Sequence, residues 1–216
     1  MTTLNDLGFS RNAVSEIIVS TFDVDGNPNA APMGALVDEK GHLVMKVFNS
    51  TATLRNLQLN KSGVVNLTSE IDIFYKSAFK EINPDGKIPK EWFEKSENIN
   101  APKMLNADAS IEFAITEFLP IDAQRTRVTC VVRSIQAKRI LPKAYNRAFS
   151  ATMEAIILST RIKALSGDKS EKNHVRRLSE MISNCKDIIK RTAPQSRYAE
   201  IVEELQKMTE LWTAQK

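Results

Sequence analysis

Apolar residues recur in two rhythms along this chain, and the change from one to the other falls near residue 141. Up to there the apolar runs are short, rich in β-branched residues and separated by turn residues, as in a strand-rich domain. EIIVSTF (Glu16–Phe22) predicts a strand, and VDGNPN (Val24–Asn29) a turn with Asp25-Gly26 at the hairpin corner. AAPMGALVDE, the turn Lys40-Gly41 and HLVMKVF continue this into a second hairpin. NSTATLRNLQLNK predicts one short helix, and GVVNLTS (Gly63–Ser69), SIEFAITEF (Ser110–Phe118) and TRVTCVVRSIQAKRI (Thr126–Ile140) predict three further strands. Six strands with one inserted helix suggest a small closed or partly closed barrel.

Between the strands, Lys80 to Asn106 holds INPDGKIPKEWFEKSENINAP, which reads as a long surface excursion with a helix near Pro89–Lys95. Loops of this length are uncommon unless they carry a function such as a lid. Beyond Pro142 the period becomes helical. AYNRAFSATMEAIILSTRIKAL runs about six turns without Gly or Pro, and GDKSEKN breaks it. Val175, Leu178, Ile182, Cys185 and Ile189 then recur at helical spacing, as do Tyr198, Ile201, Leu205, Met208 and Trp212 after Thr192-Ala-Pro. Two such stripes in succession predict an antiparallel helix pair. The fold class is α+β, a six-stranded antiparallel barrel domain over 1–141 followed by a helical subdomain over 142–216.

Composition changes this picture little. With 42% hydrophobic and 26% charged residues the chain reads as globular, and no apolar run reaches the ~20 residues of a membrane helix. The N-terminus lacks a charged start followed by an apolar run, so the expected compartment is the cytoplasm, with Cys130 and Cys185 as buried thiols rather than a disulfide. Charge is uneven. From Leu141 onward 14 Lys and Arg stand against 9 Asp and Glu, whereas the rest is close to neutral. The basic residues alternate with acids, which is the look of a solvated helix face, so nucleic acid is not the expected partner.

The stretch Asn49–Leu57, NSTATLRNL, is the richest in candidate chemistry. With Ser50 as N-cap, Thr51 and Thr53 fall in the first helical turn, where free N–H groups and the helix dipole favour an anion. Arg55 can reach back with a guanidinium fork suited to phosphate oxygens, and Asn56 adds an amide. The same residues would also serve a well-capped helix with a solvated Arg. In NPNAAPMGAL, Pro32 and Gly34 flank Met33 inside a strand, which marks a sheet edge, a bulge or the close approach of a planar heterocycle. Asn66 is an amide among apolar neighbours, either facing solvent or facing a ligand. Arg147, Glu154 and Arg161 share one face of the long helix, with Asn146 at its start. His42 and His174 have no metal-ligand spacing to other candidates, so no metal is expected. No CxxC, GxSxG, HExxH, GxGxxG or Walker pattern occurs, so chemistry would have to come from a bound cofactor.

Taken in order, EIIVSTFDVDGNPNAAPMG, STATLRNL, VVNLTSEID, NADASIEF and AYNRAFSATMEAIILSTR resemble a family of FMN-binding split-barrel proteins with a helical C-terminal extension. That family is related to flavin reductases and pyridoxamine-phosphate-oxidase-like proteins. The resemblance covers nearly the whole chain and is weakest over Lys80–Lys103 and after Gly167. It implies a homodimer of split barrels with FMN in a groove at the subunit interface. The flavin phosphate site of that family maps onto Thr51, Thr53 and Asn56, with Ser50 and Arg55 beside them. Pro32, Met33 and Gly34 would line the isoalloxazine, Asn66 would lie near it, and Asn146 and Arg147 would bring the extension to the site. Two positions depart from the family pattern: Tyr145 replaces an expected Phe, and Lys103 replaces an Arg, which exchanges a guanidinium for an ammonium. The function implied is FMN binding, as a flavin-dependent oxidoreductase with reduced nicotinamide, NAD(P)H, as a possible hydride donor. The alternative is a non-catalytic flavoprotein that holds FMN for storage, sensing or a partner.

Overall fold

The computed structural model describes residues 2–11, 13–139, 144 and 146–214. The expected domain border at 141/142 and the departure at Tyr145 lie outside these residues. The chain divides into two compact units, Met1–Glu70 with Phe79–Ile140, and Ile71–Ala78 with Leu141–Lys216.

The first unit is a closed antiparallel barrel. Its strands are β1 (Ser15–Phe22), β2 (Pro28–Val37), β3 (Leu43–Phe48), β4 (Ser62–Leu67), and the longer β7 (Ala109–Pro120) and β8 (Arg125–Ala137). Around the barrel the order is β1-β2-β3-β8-β7-β4. The first two connections are the hairpins the turn residues predict, with Gly26 at φ +76° and Gly41 at φ +81°, conformations that favour glycine. Ile17, Val19, Leu43, Met45, Val65, Ile111, Phe113, Val128 and Cys130 point inward and form the core. The helix α1 (Ala52–Asn60) adds Leu54 and Leu57 to it. Cys130 and Cys185 are free and buried. Burial pushes the Cys130 thiol up to about 12, which makes it a packing residue and not a nucleophile.

One seam of the barrel is nearly open. β2 and β3 pair only over Ala35↔Met45, Leu36↔Val44 and Val37↔Leu43. From Pro28 to Gly34, β2 pairs with β1 alone, and from Lys46 to Phe48, β3 pairs with β8 alone. Pro32 therefore sits where its missing N–H costs no ladder bond.

The excursion differs from its reading. In place of a helix near Pro89–Lys95 there is a single 3-10 turn, Lys90–Trp92, followed by a two-stranded ribbon of β5 (Phe93–Lys95) and β6 (Pro102–Met104). The ribbon is stabilised from outside. Ser20 Oγ donates to Pro102 O at 2.6 Å, and Met104 N donates to Asn66 Oδ1 at 2.8 Å.

In the second unit α3 (Arg147–Leu165) packs against α2 (Ile71–Ala78), α4 (Lys172–Thr192) and α5 (Arg197–Ala214). The long helix starts at Arg147 rather than Ala144, because Asn146 caps it by accepting from Ala148 N at 2.9 Å. Val175, Leu178, Ile182, Cys185 and Ile189 are the buried stripe of α4, as expected. In α5 the buried set is Ile201, Val202, Leu205 and Thr209, with Tyr198, Met208 and Trp212 only half-buried. The stripe is rotated because α5 meets both α3 and, through an ion-pair cluster, α2. Arg197 donates to Asp72, Glu200 and Glu204, and Tyr75 Oη donates to Glu204. No described helix is long and apolar enough to cross a membrane.

Candidate functional site

The start of α1 lies beside the open seam, and its cap is one residue later than the sequence reading places it. Thr51, not Ser50, is the N-cap. Its backbone is extended (φ −81°, ψ 148°) and its Oγ1 accepts from Leu54 N at 3.2 Å while donating to Phe48 O at 2.8 Å. One of the first-turn amides is thereby used. The amides of Ala52 and Thr53 precede the helix's own ladder and have no acceptor among the described residues. Arg55 does reach back: its Nη1 donates to Ser50 O at 3.0 Å, which holds an exposed guanidinium over the helix start.

Two residues absent from the sequence reading complete this corner. Asn29, on the free edge of β2, donates from Nδ2 to Thr53 Oγ1 at 3.4 Å. Lys80 donates from Nζ to Asn29 Oδ1. Thr53 is 2% exposed. Because its oxygen already accepts from Asn29, its own hydroxyl proton is left to donate elsewhere, and no acceptor for it exists among the described residues. Lys80 follows Phe79, whose fully buried ring anchors the start of the excursion. Burial lowers the Lys80 pKa from its usual value, and no carboxylate among the described residues pairs with it. A half-buried ammonium without a counter-ion is costly unless something anionic joins it. Nothing local in the sequence marks Lys80, since its role depends on a fold that returns residue 80 to strand β2.

The other candidates fall in different places. Asn56 is buried and donates to Thr21 Oγ1 at 3.0 Å, which pins α1 to β1. Asn66 is fully buried. Its amide donates to Ile18 O, Ser20 Oγ and Val64 O, and its oxygen accepts from Met104 N, so it fastens β6 to the outside of the barrel. The solvent-facing alternative for this residue is therefore excluded. Met33 lies opposite Ile17 and packs on the barrel core. Pro32 and Gly34 point to the other face. A Cβ on Gly34 would come within 2.7 Å of a Val14 methyl, so the glycine makes room for that side chain. Lys103 is 9% exposed and already neutralised, with Glu94 at 3.3 Å, Glu97 at 3.7 Å and Gln136 at 2.9 Å. Asn146 and Arg147 belong to the helical unit, where the Asn146 oxygen is occupied as a cap and Arg147 is exposed.

The seam corner thus gathers two free amides, an oriented hydroxyl, an exposed guanidinium and a half-buried ammonium. These are donors for an oxyanion of high charge, and a phosphate fits them.

Known proteins bear on this geometry. An FMN-bound protein from Methanosarcina mazei is 22% identical, with 95% of this chain and 99% of that chain covered at a TM-score of 0.75. Component B of nitrilotriacetate monooxygenase from Bacillus cereus is 16% identical over 66% of this chain and 80% of its own, at a TM-score of 0.52. The flavin reductase component of a bacterial two-component tryptophan halogenase is 14% identical over 60% and 84%, at a TM-score of 0.50. At these identities the likeness shows the fold alone, the closed antiparallel barrel described above. No curated protein matches the chain. A family model matches residues 15–138, the barrel from its first strand to its last, and the chain belongs to the family described as protein of unknown function (DUF447), N-terminal domain.

Proposed function

We propose that this chain binds FMN, with the cofactor's phosphate at the start of α1, and acts as a flavin-dependent oxidoreductase. The observation that carries the reading is the half-buried Lys80 ammonium, without a carboxylate partner, two hydrogen bonds away from a helix start with unused donors. A dianionic phosphate offers the charge and the acceptors that this corner lacks. The likeness to an FMN-bound protein of the same family supports the choice of ligand.

FMN, when bound, supplies hydride transfer that no side chain of this protein can supply. The chain's own part is to hold and orient. Thr53 and the amides of Ala52 and Thr53 donate to the phosphate, and Arg55 closes over it from the solvent side. Lys80 balances its charge from within. Pro32 and Gly34, on the free edge of β2, present backbone groups toward the flavin ring. Asn56 and Asn66 act one step back, fixing α1 and β6. In this reading the functional unit is a homodimer with FMN at the subunit interface, NAD(P)H is the hydride donor, and Asn146 and Arg147 approach the cofactor from the extension.

Two measurements test the proposal. The purified protein absorbs in the visible region with the bands of oxidised flavin, and the double variant Thr53→Ala/Arg55→Ala weakens FMN binding by roughly 2–5 kcal/mol, since charge-assisted hydrogen bonds contribute ~1.5–3 each. Unchanged affinity in that variant removes the phosphate assignment. Stopped-flow mixing of the holoprotein with NADH or NADPH bleaches the flavin bands; failure with both would leave flavin binding standing and withdraw the nicotinamide-linked reaction.

A further inference from the structure

The excursion between α2 and β7 is fastened unevenly. Its second half is pinned to the barrel wall: Ser20 Oγ donates to Pro102 O, and Met104 N donates to Asn66 Oδ1. The buried Glu112 carboxylate accepts from Glu97 N at 3.2 Å, Asn98 N at 3.3 Å and Asn98 Nδ2 at 2.9 Å. The first half holds a different piece, the arch 80–87, strung between the buried side chains of Phe79 and Ile88. Apart from Lys80 and Asn83 the arch is exposed. Its backbone bonds are single turns, Ile82 N to Phe79 O at 3.2 Å, Asn83 N to Lys80 O at 3.0 Å and Gly86 N to Asn83 O at 3.0 Å. Such turns have poorer hydrogen-bond geometry than an α-helix. At the crown, Asp85 (φ +58°) and Gly86 (φ +63°) are left-handed, which a non-glycine residue disfavours. Exposed amides in isolated turns place this arch at the low end of local stability.

The arch begins at the corner beside the start of α1. Lys80 Nζ donates to Asn29 Oδ1, and Asn29 Nδ2 donates to Thr53 Oγ1 at 3.4 Å, so the arch is joined to β2 and β2 to the first turn of α1. An ammonium offers donors only, so the Asn29 oxygen must face Lys80 and its amino group must face Thr53. The amide is neutral and does not balance the ammonium. Burial opposes the charged form of Lys80 and lowers its pKa. Docking the arch therefore half-buries a cation, at a cost in free energy. An anion at the start of α1 removes that cost.

We infer that the arch 80–87 is a latch that the cofactor's phosphate closes: the anion at the start of α1 and the docked Lys80 stabilise each other, and the docked arch retains the cofactor. This rests on the phosphate reading of the α1 start. The coupling is reciprocal, so whatever the anion adds to the hold of the arch, the docked arch adds to the hold on the anion. Its path is the chain Thr53–Asn29–Lys80. The second half of the excursion is already pinned through Glu112, Ser20 and Asn66, so the response is confined to the arch.

The test is hydrogen–deuterium exchange of the full chain, alone, with saturating FMN and with inorganic phosphate. FMN slows exchange at Ile82, Asn83 and Gly86 several-fold, phosphate slows it at the same amides, and residues 96–104 do not respond. In Lys80→Met, at FMN concentrations that saturate the variant, the arch exchanges at one rate with and without FMN. Gly86→Ala is the second variant. Nothing lies within 4 Å of the added Cβ, so it strains the arch through φ +63° alone. In Gly86→Ala the apoprotein arch exchanges several-fold faster, FMN still protects it, and bound FMN is released several-fold faster, read by flavin fluorescence. Visible flavin bands with unchanged exchange in the arch overturn the latch and leave flavin binding standing. Protection that survives in Lys80→Met, or that spreads evenly over the barrel, also overturns it. Absence of both flavin bands and any response to phosphate removes the phosphate reading, and the latch with it.

Discussion

At the start of α1 the cap is a hydroxyl that uses one first-turn amide, and around it stand Asn29, Lys80 and Arg55, whose donors exceed the acceptors available. At the start of α3 the cap is Asn146, which satisfies Ala148 N at 2.9 Å, and the flanking Arg147 is exposed to solvent. Both starts have a polar cap and a cation, and both hold residues that the sequence reading counts as candidates, although only the start of α1 reads there as an anion site. What separates them is contributed by distant segments. Strand β2 and the head of the excursion bring a half-buried ammonium and an aligned amide to α1. For a cation in full solvent, as at α3, screening leaves little binding energy. The comparison teaches that a capped helix start becomes an anion site when the fold places desolvated charge next to it.

The sharpest way to break this distinction is to remove the desolvated charge. Lys80→Met keeps the length and the apolar stem but deletes the ammonium. FMN affinity is expected to fall about 10- to 100-fold, the equivalent of ~1.5–3 kcal/mol for a hydrogen bond to a charged group. The apoprotein, freed of an uncompensated buried cation, is expected to melt no lower than the parent. Equilibrium titration with FMN and thermal melting without it read the two effects separately. A variant with parental affinity would show that Lys80 serves the excursion and not the ligand.

The same residue predicts a pH dependence. Desolvation disfavours the Lys80 ammonium, so the folded apoprotein releases this proton below the usual 10.5. The unfolded chain then holds more protons over the interval from that lowered value up to 10.5, and the stability contribution of Lys80 rises with pH across it. A bound phosphate has the opposite preference and keeps the ammonium charged. FMN affinity is therefore greatest below the apo pKa and declines as pH rises through it, earlier than for an ordinary lysine. Dissociation constants measured from pH 7 to 10.5 should show this decline in the parent and none from this group in Lys80→Met. A flat profile in the parent would mean that the ammonium does not face the anion.

How much of this was legible depends on how local each feature is. The hairpins at Gly26 and Gly41 and the α4 stripe are set by residues adjacent in sequence or one turn apart, and these appear where the pattern puts them. The start of α1 was read one residue early, because Ser50 and Thr51 are equally good capping types and only the Leu54 N to Thr51 Oγ1 bond decides between them. The ribbon of β5 and β6 was missed, since its three-residue strands carry no period and depend on Asn66 and Ser20 for support. Asn66 itself looked ambiguous in sequence. Its four hydrogen-bond partners come from β1, β4 and β6, and no window around residue 66 contains most of them. Lys80 and Asn29 lie 51 residues apart, so the group that most distinguishes the candidate site had no local signature at all.

The smallest effect is expected at the other helix start. Asn146→Ala removes the oxygen that accepts from Ala148 N, and loss of such a cap costs about 1 kcal/mol. Because α3 packs against α2, α4 and α5, that loss should appear as a lower melting temperature for the helical unit. If the Asn146 oxygen is committed to the cap, FMN affinity falls no more than this loss of stability accounts for. Asn146→Asp provides the control, because a carboxylate keeps the cap and favours the positive helix end, yet would repel a phosphate brought near it. Parental stability with parental FMN affinity in Asn146→Asp would assign the residue to the helix alone. Parental stability with markedly weaker FMN binding would place the cofactor beside α3 as well, and the contrast between the two helix starts would then be one of strength and not of kind.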